Sequence, residues 1–190
     1  MTKTIVNITM SLDGFIAGKN ISQTNPMGEN GILLHQWIFD ERTDTDKEIL
    51  SSFVESAGAV ILGSTTYNTA ISDAWGGHTP FKVPAFVLTS KEPSIVKDGF
   101  TFTGEGIRNA HAKAVAIARE KNTWIMGGAN VIQQFLEENL VDEIHVHIAP
   151  ILLGSGTLLF HSGSMKNTRL KKLNAIETRA ATHLFYEVIK

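Results

Sequence analysis

Three short stretches of this sequence place glycine or hydroxyl residues directly after an apolar run. They are Gly63-Ser64-Thr65-Thr66 after AVIL, Thr89-Ser90-Lys91 after AFVL, and Gly127-Gly128-Ala129-Asn130 after TWIM. Glycine lets a backbone come close to a ligand, and Ser and Thr add neutral donors without a charge that must be desolvated. The first and third stretches lead into helical patterns, so they would present the free N–H groups of a helix start, which favour an anion. On one sheet edge the three would suit a diphosphate, although the chain has no G-x-G-x-x-G fingerprint. Taken singly, each glycine turn is equally a tight strand-to-helix connection.

Other residues offer further chemistry, each with a plainer alternative. Asp13 closes the first apolar run; it would serve as an acid if burial raised its pKa, or as the capping residue of an Asp13-Gly14 turn. His35, Trp37 and Phe39 alternate after a long polar stretch, either as walls for a flat heterocycle or as a core Trp and Phe beside an exposed His. His145 and His147 share one face of a strand-like run. With no third ligand nearby, no metal site is expected, and an exposed or subunit-contact face is the preferred reading.

The elements that must position these groups follow from periodicity. Ile5, Ile8 and Met10 among β-branched neighbours predict a buried strand over residues 3–10. Residues 18–31, rich in Gly and Asn, predict a long exposed loop. Thr45 and Glu48 form a candidate capping box before Ile49, Leu50, Phe53, Val54 and Ala57, predicting a helix over 45–57 ended by Gly58. AVIL, AFVL and TWIM are short strands; STTYNTAI, the stripe Ile107, Ala110, Ala114, Ile117 and Ala118, and the face Ile132, Phe135 and Leu136 are helices. After residue 140 come DEIHVHIAP, TRLKKLNAIET and THLFYEVIK, all strand-like, the last two predicted to pair antiparallel. The fold class is therefore α/β: one domain over 1–190 with a mixed, mostly parallel sheet, helices on both faces and C-terminal antiparallel strands.

Composition narrows the partners. The 190 residues are 43% hydrophobic and 19% charged, with a net charge of -2 and no cysteine. That excludes disulfides, thiolate metal sites and cysteine nucleophiles, and gives no positive field for nucleic acid or anionic membrane. MTKTIVNITMSLDGF lacks the apolar block of a signal peptide, and no apolar run approaches the roughly 20 residues of a membrane helix. A cytoplasmic protein with a small-molecule substrate is expected. THLFYEVIK, apolar on alternate residues, would be a hazardous free edge, which predicts a homodimer.

Set in order, SLDGFIAG at 11–18, LHQW at 34–37, GSTTY at 63–67, FVLTSK at 86–91, IMGGAN at 125–130 and HIAPILLGSG at 147–156 resemble the dihydrofolate-reductase-like superfamily. Within it they look most like the branch containing the C-terminal reductase domain of the bifunctional riboflavin-biosynthesis deaminase-reductase. The resemblance implies an NADPH-dependent reductase acting on a heterocyclic or sugar-derived imine, such as a ribosylaminopyrimidine of riboflavin synthesis or a dihydropterin. The rival is a nucleotide-binding protein without turnover. By the same resemblance Gly63, Ser64, Thr65 and Thr66 would hold the diphosphate or adenosine side, and Gly127 and Gly128, leading into Ala129 and Asn130, would pass under the diphosphate. Thr89, Ser90 and Lys91 would face the 2'-phosphate, Ile16 and Ala17 would border the nicotinamide, and Asp13 would lie beside it. The family's GRxTY motif has Arg where this chain has Ser64, so preference for NADPH leans on Lys91 and NADH stays open. Folate-reducing members carry an acid on the first helix, where this chain has Asp46 and Glu48. No zinc-site cysteines are present for a deaminase half.

Overall fold

The computed structural model describes residues 2–91, 93–161 and 167–190. In chain order the elements are β1 (Thr4–Ser11), β2 (Phe15–Ala17), a 3-10 turn (Gly31–His35), α1 (Gln36–Phe39), α2 (Asp44–Ser56), β3 (Ala57–Gly63) and α3 (Ser64–Ala70). Then follow β4 (Ala85–Leu88), β5 (Phe100–Thr103), α4 (Ile107–Ala118), β6 (Asn122–Gly127), α5 (Ala129–Glu137), β7 (Glu143–Ala149), β8 (Thr157–Leu158), β9 (Arg169–Glu177) and β10 (Thr182–Ile189). One sheet has the order β5-β4-β3-β6-β1-β7-β10-β9, and β2 pairs with β8 in a small second sheet. From β5 to β7 all neighbours are parallel; β10 is antiparallel to both β7 and β9.

The chemistry of the central strands explains this arrangement. Every residue of β3 is buried, as a parallel strand covered on both faces requires. On one face α4 and α5 bring Ala114, Ala118, Ile132, Phe135 and Leu136 against Val6, Ile61, Ile125 and Val146. On the other, Val60, Leu62 and Val87 meet Tyr67 and Ile71 from the α3 region, with Trp75, Phe81, Phe100 and Phe102 packed around them. Close approach of α4 depends on small residues: a Cβ at Gly58 would lie 2.7 Å from the Ala118 carbonyl oxygen. Gly58 is therefore a contact point inside β3 and not the end of a helix.

Three further local expectations change. The box at the start of α2 is made by Thr43 and Asp46, two residues before the predicted Thr45–Glu48 pair, because Asp46 can turn inward while Glu48 stays exposed. The Thr43 amide donates to Asp46 Oδ2 at 2.5 Å, and the Asp46 amide donates to Thr43 Oγ1 at 3.2 Å. β5 has no counterpart in the predicted elements, since FTFT is too short to show a period. Finally, β10 is not an edge: β9 covers it, and β9 is the outermost strand, carrying Arg169, Lys171 and Lys172. Charged side chains of this kind discourage edge pairing, so the reason given for a homodimer falls away. No helix among the described residues is long and apolar enough to cross a membrane.

Candidate functional site

Four parallel strands deliver short polar segments to one edge of the large sheet. β3 passes through Gly63 into α3, β6 through Gly127 and Gly128 into α5, β5 through Gly104–Gly106 into α4, and β4 into Thr89–Ser90. Gly63, Gly106 and Gly128 stand immediately before their helices, and none of these helices has a side-chain cap. Their first N–H groups are left to other acceptors. A cavity of about 650 Å³ opens here, a size suited to a small-molecule site.

The cavity runs along the edge from β5 to β1, four strand spacings, or roughly 19 Å. Its β4–β5 end is lined by Thr89, Ser90, Thr103, Gly104, Gly106 and Ile107, and its middle by Gly63–Thr66 and Gly128–Val131. Its β1 end is lined by Ile8, Ile16, Ala17, Ile21, Met27, His35 and Thr157. The middle is a backbone cradle: a Cβ at Gly128 would stand 3.6 Å from Thr66 Oγ1, in the space between two helix starts. At the β1 end Gly156, with φ 141, lies so close to β2 that a Cβ would fall 2.0 Å from the Ala17 carbonyl oxygen. Glycine there lets the small β2–β8 sheet close over this end.

Of the residues singled out in the sequence, Ile16, Ala17, Gly63, Ser64, Thr65, Thr66, Thr89, Ser90, Gly128, Ala129, Asn130 and His35 line this one cavity. Gly127 does not: a Cβ there would meet Ile132 Cδ1 at 3.5 Å and Ile8 Cδ1 at 3.7 Å. Lys91 is exposed, one residue beyond the lining, with its backbone tied to Thr89 Oγ1. Trp37 is not a wall of the cavity but a core residue, 2% exposed, and Phe39 is exposed at 57%. The alternation that suggested a flat-ring wall breaks because the chain turns helical at Gly31, sending Trp37 into the core while the rings of His35 and Phe39, four residues apart, stay on another side.

Asp13 also departs from the acid reading. Ser11 Oγ donates to its Oδ1 at 2.5 Å, and the amides of Leu153 and Gly154 donate to its two oxygens at 3.1 and 2.7 Å. The Ser11 hydroxyl above all, with the amides of Gly154 and Leu153 adding to it against the opposing effect of desolvation, holds the carboxyl below its ordinary pKa. Asp13 thus braces the 150–154 loop as an anion and has no raised pKa with which to donate a proton. Asp46 and Glu48 do not line the cavity either.

The histidines sit differently from their sequence reading. His147 is 1% and His183 0% exposed. His183 Nε2 lies 2.8 Å from Asp46 Oδ1, and the two Nδ1 atoms are 2.7 Å apart. A neutral His183 that donates from Nε2 to Asp46 accepts at Nδ1 from His147. Trp37 packs against both rings, at 4.6 and 5.1 Å between centroids, and donates to Thr9 Oγ1 at 3.1 Å. Burial, with the neighbouring His183 and His145 adding to it, pushes His147 down to about 3. Burial pushes Asp46 up, but hydrogen bonds from Thr43 and His183 more than offset it, so Asp46 ends below its usual value. His145 is partly buried and bonds Glu143 at 2.8 Å. The exposed-face reading is therefore replaced by a buried polar chain, and among the described residues no three potential ligands are grouped to hold a metal ion.

Sequence reasoning missed the loop after β5, although Thr103-Gly104 repeats the hydroxyl–glycine signal of the other strand ends. It also missed Met27 and Trp75, which only tertiary folding brings to the cavity.

The fold is dihydrofolate-reductase-like. The E. faecalis dihydrofolate reductase, solved with NADP(H), superposes with a TM-score of 0.59 at 14% identity over 99% of this chain and 97% of its own. Residues 2–183 match the model of the RibD C-terminal domain, and the chain belongs to that family. YwjB of Bacillus subtilis (strain 168), an uncharacterized protein, is 30% identical over 194 residues, covering 97% of each chain. A solved structure from Shewanella sp. PV-4, named for riboflavin biosynthesis, has a TM-score of 0.77 at 24% identity with 100% of each chain covered.

Proposed function

We propose that the protein is a nicotinamide-nucleotide-dependent reductase that uses NADPH, with NADH as a competitor, to reduce a small heterocyclic or sugar-derived imine. The observation that carries this reading is the graded edge of the cavity. Hydroxyl groups stand at one end, glycines and uncapped helix starts in the middle, and apolar residues with one histidine at the other. An extended dinucleotide has the same order, with its diphosphate between adenosine and nicotinamide. Membership of the RibD C-terminal domain family supports the reading.

The residues fit such a cofactor. The amides at the starts of α3 and α5 and the hydroxyls of Ser64, Thr65 and Thr66 would hold the diphosphate, and the glycines leave room for it. Thr89 and Ser90 would meet the adenosine side, and Ile16 and Ala17 the nicotinamide. A bound reduced nicotinamide would supply a hydride to an electron-poor substrate carbon, with a proton from solvent completing the reduction. The chain's own part is to orient both rings and to keep bulk water from the β1 end with Ile8, Ile16 and Met27. For the 2'-phosphate the described lining offers hydroxyls and no cation, so discrimination against NADH should be weak.

Thermal unfolding with each nucleotide tests this. At a hundredfold excess over the dissociation constant, NADPH should stabilise the fold by about 2.7 kcal/mol. No stabilisation by either nucleotide at millimolar concentration would end the reading. Binding without oxidation by any imine or dihydropterin acceptor would place the protein among nucleotide-binding proteins without turnover.

A further inference from the structure

The sheet face beneath α1 and α2 carries the same arrangement twice. Thr9, His147 and His183 are register partners across β1, β7 and β10, and so are Asn7, His145 and Phe185, one pleat further along. Side chains two residues apart on a strand share a face, so both rows point the same way. Each row sets a hydrogen-bonding side chain on β1 beside two rings. The ring pairs have nearly the same geometry: 4.9 Å between centroids at 66° for His147 and His183, and 4.8 Å at 72° for His145 and Phe185.

What covers the two rows differs. Over the first, Trp37 packs its indole against both rings and donates from Nε1 to Thr9 Oγ1. Over the second lies a cavity of about 560 Å³, a size suited to a small molecule. Asn7, His145 and Phe185 line it and stay only partly buried, with Ile49, Ser52 and Phe53 of α2 across from them. The 13-residue α2 buries only Asp46 and Phe53, so the helix does not fill the space beneath it. Phe53 meets the His145 ring at 5.8 Å and the Trp124 ring at 5.3 Å, closing one wall. Glu143 fixes the His145 ring through Nε2 at 2.8 Å. Among the described residues the Asn7 carboxamide has no hydrogen-bond partner.

We propose that this second cavity is a binding site for a planar heteroaromatic molecule with a ring N–H. The ring sits against His145 and Phe185 as the Trp37 indole sits against His147 and His183. Its N–H donates to Asn7 Oδ1 as Trp37 Nε1 donates to Thr9 Oγ1, since a carboxamide oxygen is free to accept. The aromatic contacts supply attraction and the amide supplies selectivity. The site lies near Lys3, Asn122 and Glu143, at the starts of β1, β6 and β7, whereas the glycine-lined cavity opens at the other ends of the strands. It needs neither the cofactor nor the acceptor of the reductase reading.

Titration of the isotope-labelled full chain with indole, followed by NMR, tests the proposal. Indole should saturate in the millimolar range, as befits so small a ligand, with shifts clustered at Asn7, Ser52, His145 and Phe185. 1-Methylindole, which has the ring but no N–H, should bind about tenfold more weakly, the value of one hydrogen bond. Asn7→Ala should weaken indole by about tenfold and leave 1-methylindole within roughly twofold. A thermal melt of the variant separates this effect from misfolding, and the comparison of the two ligands on the wild type needs no variant at all. The absence of shifts at these residues with millimolar indole, or shifts confined to the glycine-lined cavity, would overturn the proposal. So would equal affinity of the wild type for indole and 1-methylindole, or an unchanged indole affinity in a folded Asn7→Ala.

Discussion

The two sides of β1 use polar groups in opposite ways. On the Ile8 side, the sheet edge presents hydroxyls and uncapped helix starts around a cavity that no described charged side chain lines. On the Thr9 side, Trp37, His147, His183 and Asp46 are buried and joined by hydrogen bonds. A buried polar group that is paired fixes the packing around it, whereas one left open is an invitation to a ligand. Stability and binding should therefore respond to different residues.

Acid offers the largest separation. The folded pKa of His147, about 3, lies below its ordinary 6.5, so as pH falls the unfolded chain takes up this proton first. Its contribution is complete above about pH 6.5 and is lost progressively toward pH 3, on the order of 5 kcal/mol in all. Asp46, whose folded pKa is also lowered, adds a further loss below its ordinary 3.8. Urea unfolding from pH 7 to 4 should show this slope, and His147→Gln should flatten it. An unchanged slope would mean that the chain beneath α1 and α2 is not the acid-sensitive element.

Asp46→Ala removes one arm of the α2 capping box, the acceptor of the Thr43 amide, and leaves His183 without its carboxylate. Losing a hydrogen bond to a buried carboxylate and leaving the imidazole N–H unpaired costs roughly 3 kcal/mol, with up to about 1 more for the lost arm of the capping box. Denaturant midpoints should fall accordingly, while the folded fraction binds NADPH as the wild type does. A loss of affinity as large as the loss of stability would erase the distinction between the two sides.

Gly128→Val probes the other side. Its side chain would enter the space facing Thr66. NADPH should bind at least about tenfold more weakly, roughly 1.4 kcal/mol, with a much smaller change in the melting temperature of the free protein. Lys91→Ala should have the smallest effect. Outside the lining and exposed, it should alter the NADPH to NADH ratio by no more than about 1 kcal/mol, an effect that fades in high salt.

Much of the cavity was legible in the chain because its chemistry is local. Gly63-Ser64-Thr65-Thr66, Thr89-Ser90 and Gly128-Ala129-Asn130 each follow their own strand directly, and a parallel sheet with crossover helices must bring such strand ends to one edge. The same logic makes the alternation of strands and helices readable as an α/β sheet. Asp13 was harder: the Ser11 hydroxyl that most favours its anion is local, but the amides of Leu153 and Gly154 that bind its two oxygens lie far along the chain.

Local pattern along the chain is enough for the α/β class, for the strand ends that meet at the cavity and for the lack of any cysteine chemistry. Tertiary structure alone decided which polar residues are buried and with whom. Asp46 and His183 are 137 positions apart and His147 and His183 are 36 apart, yet they form one hydrogen-bonded chain. The reason is that pattern along a chain reports the period of an element and the conformation of a turn, both set by near neighbours. Burial and pKa are set by whatever atoms the fold brings close, and no spacing within one segment encodes them.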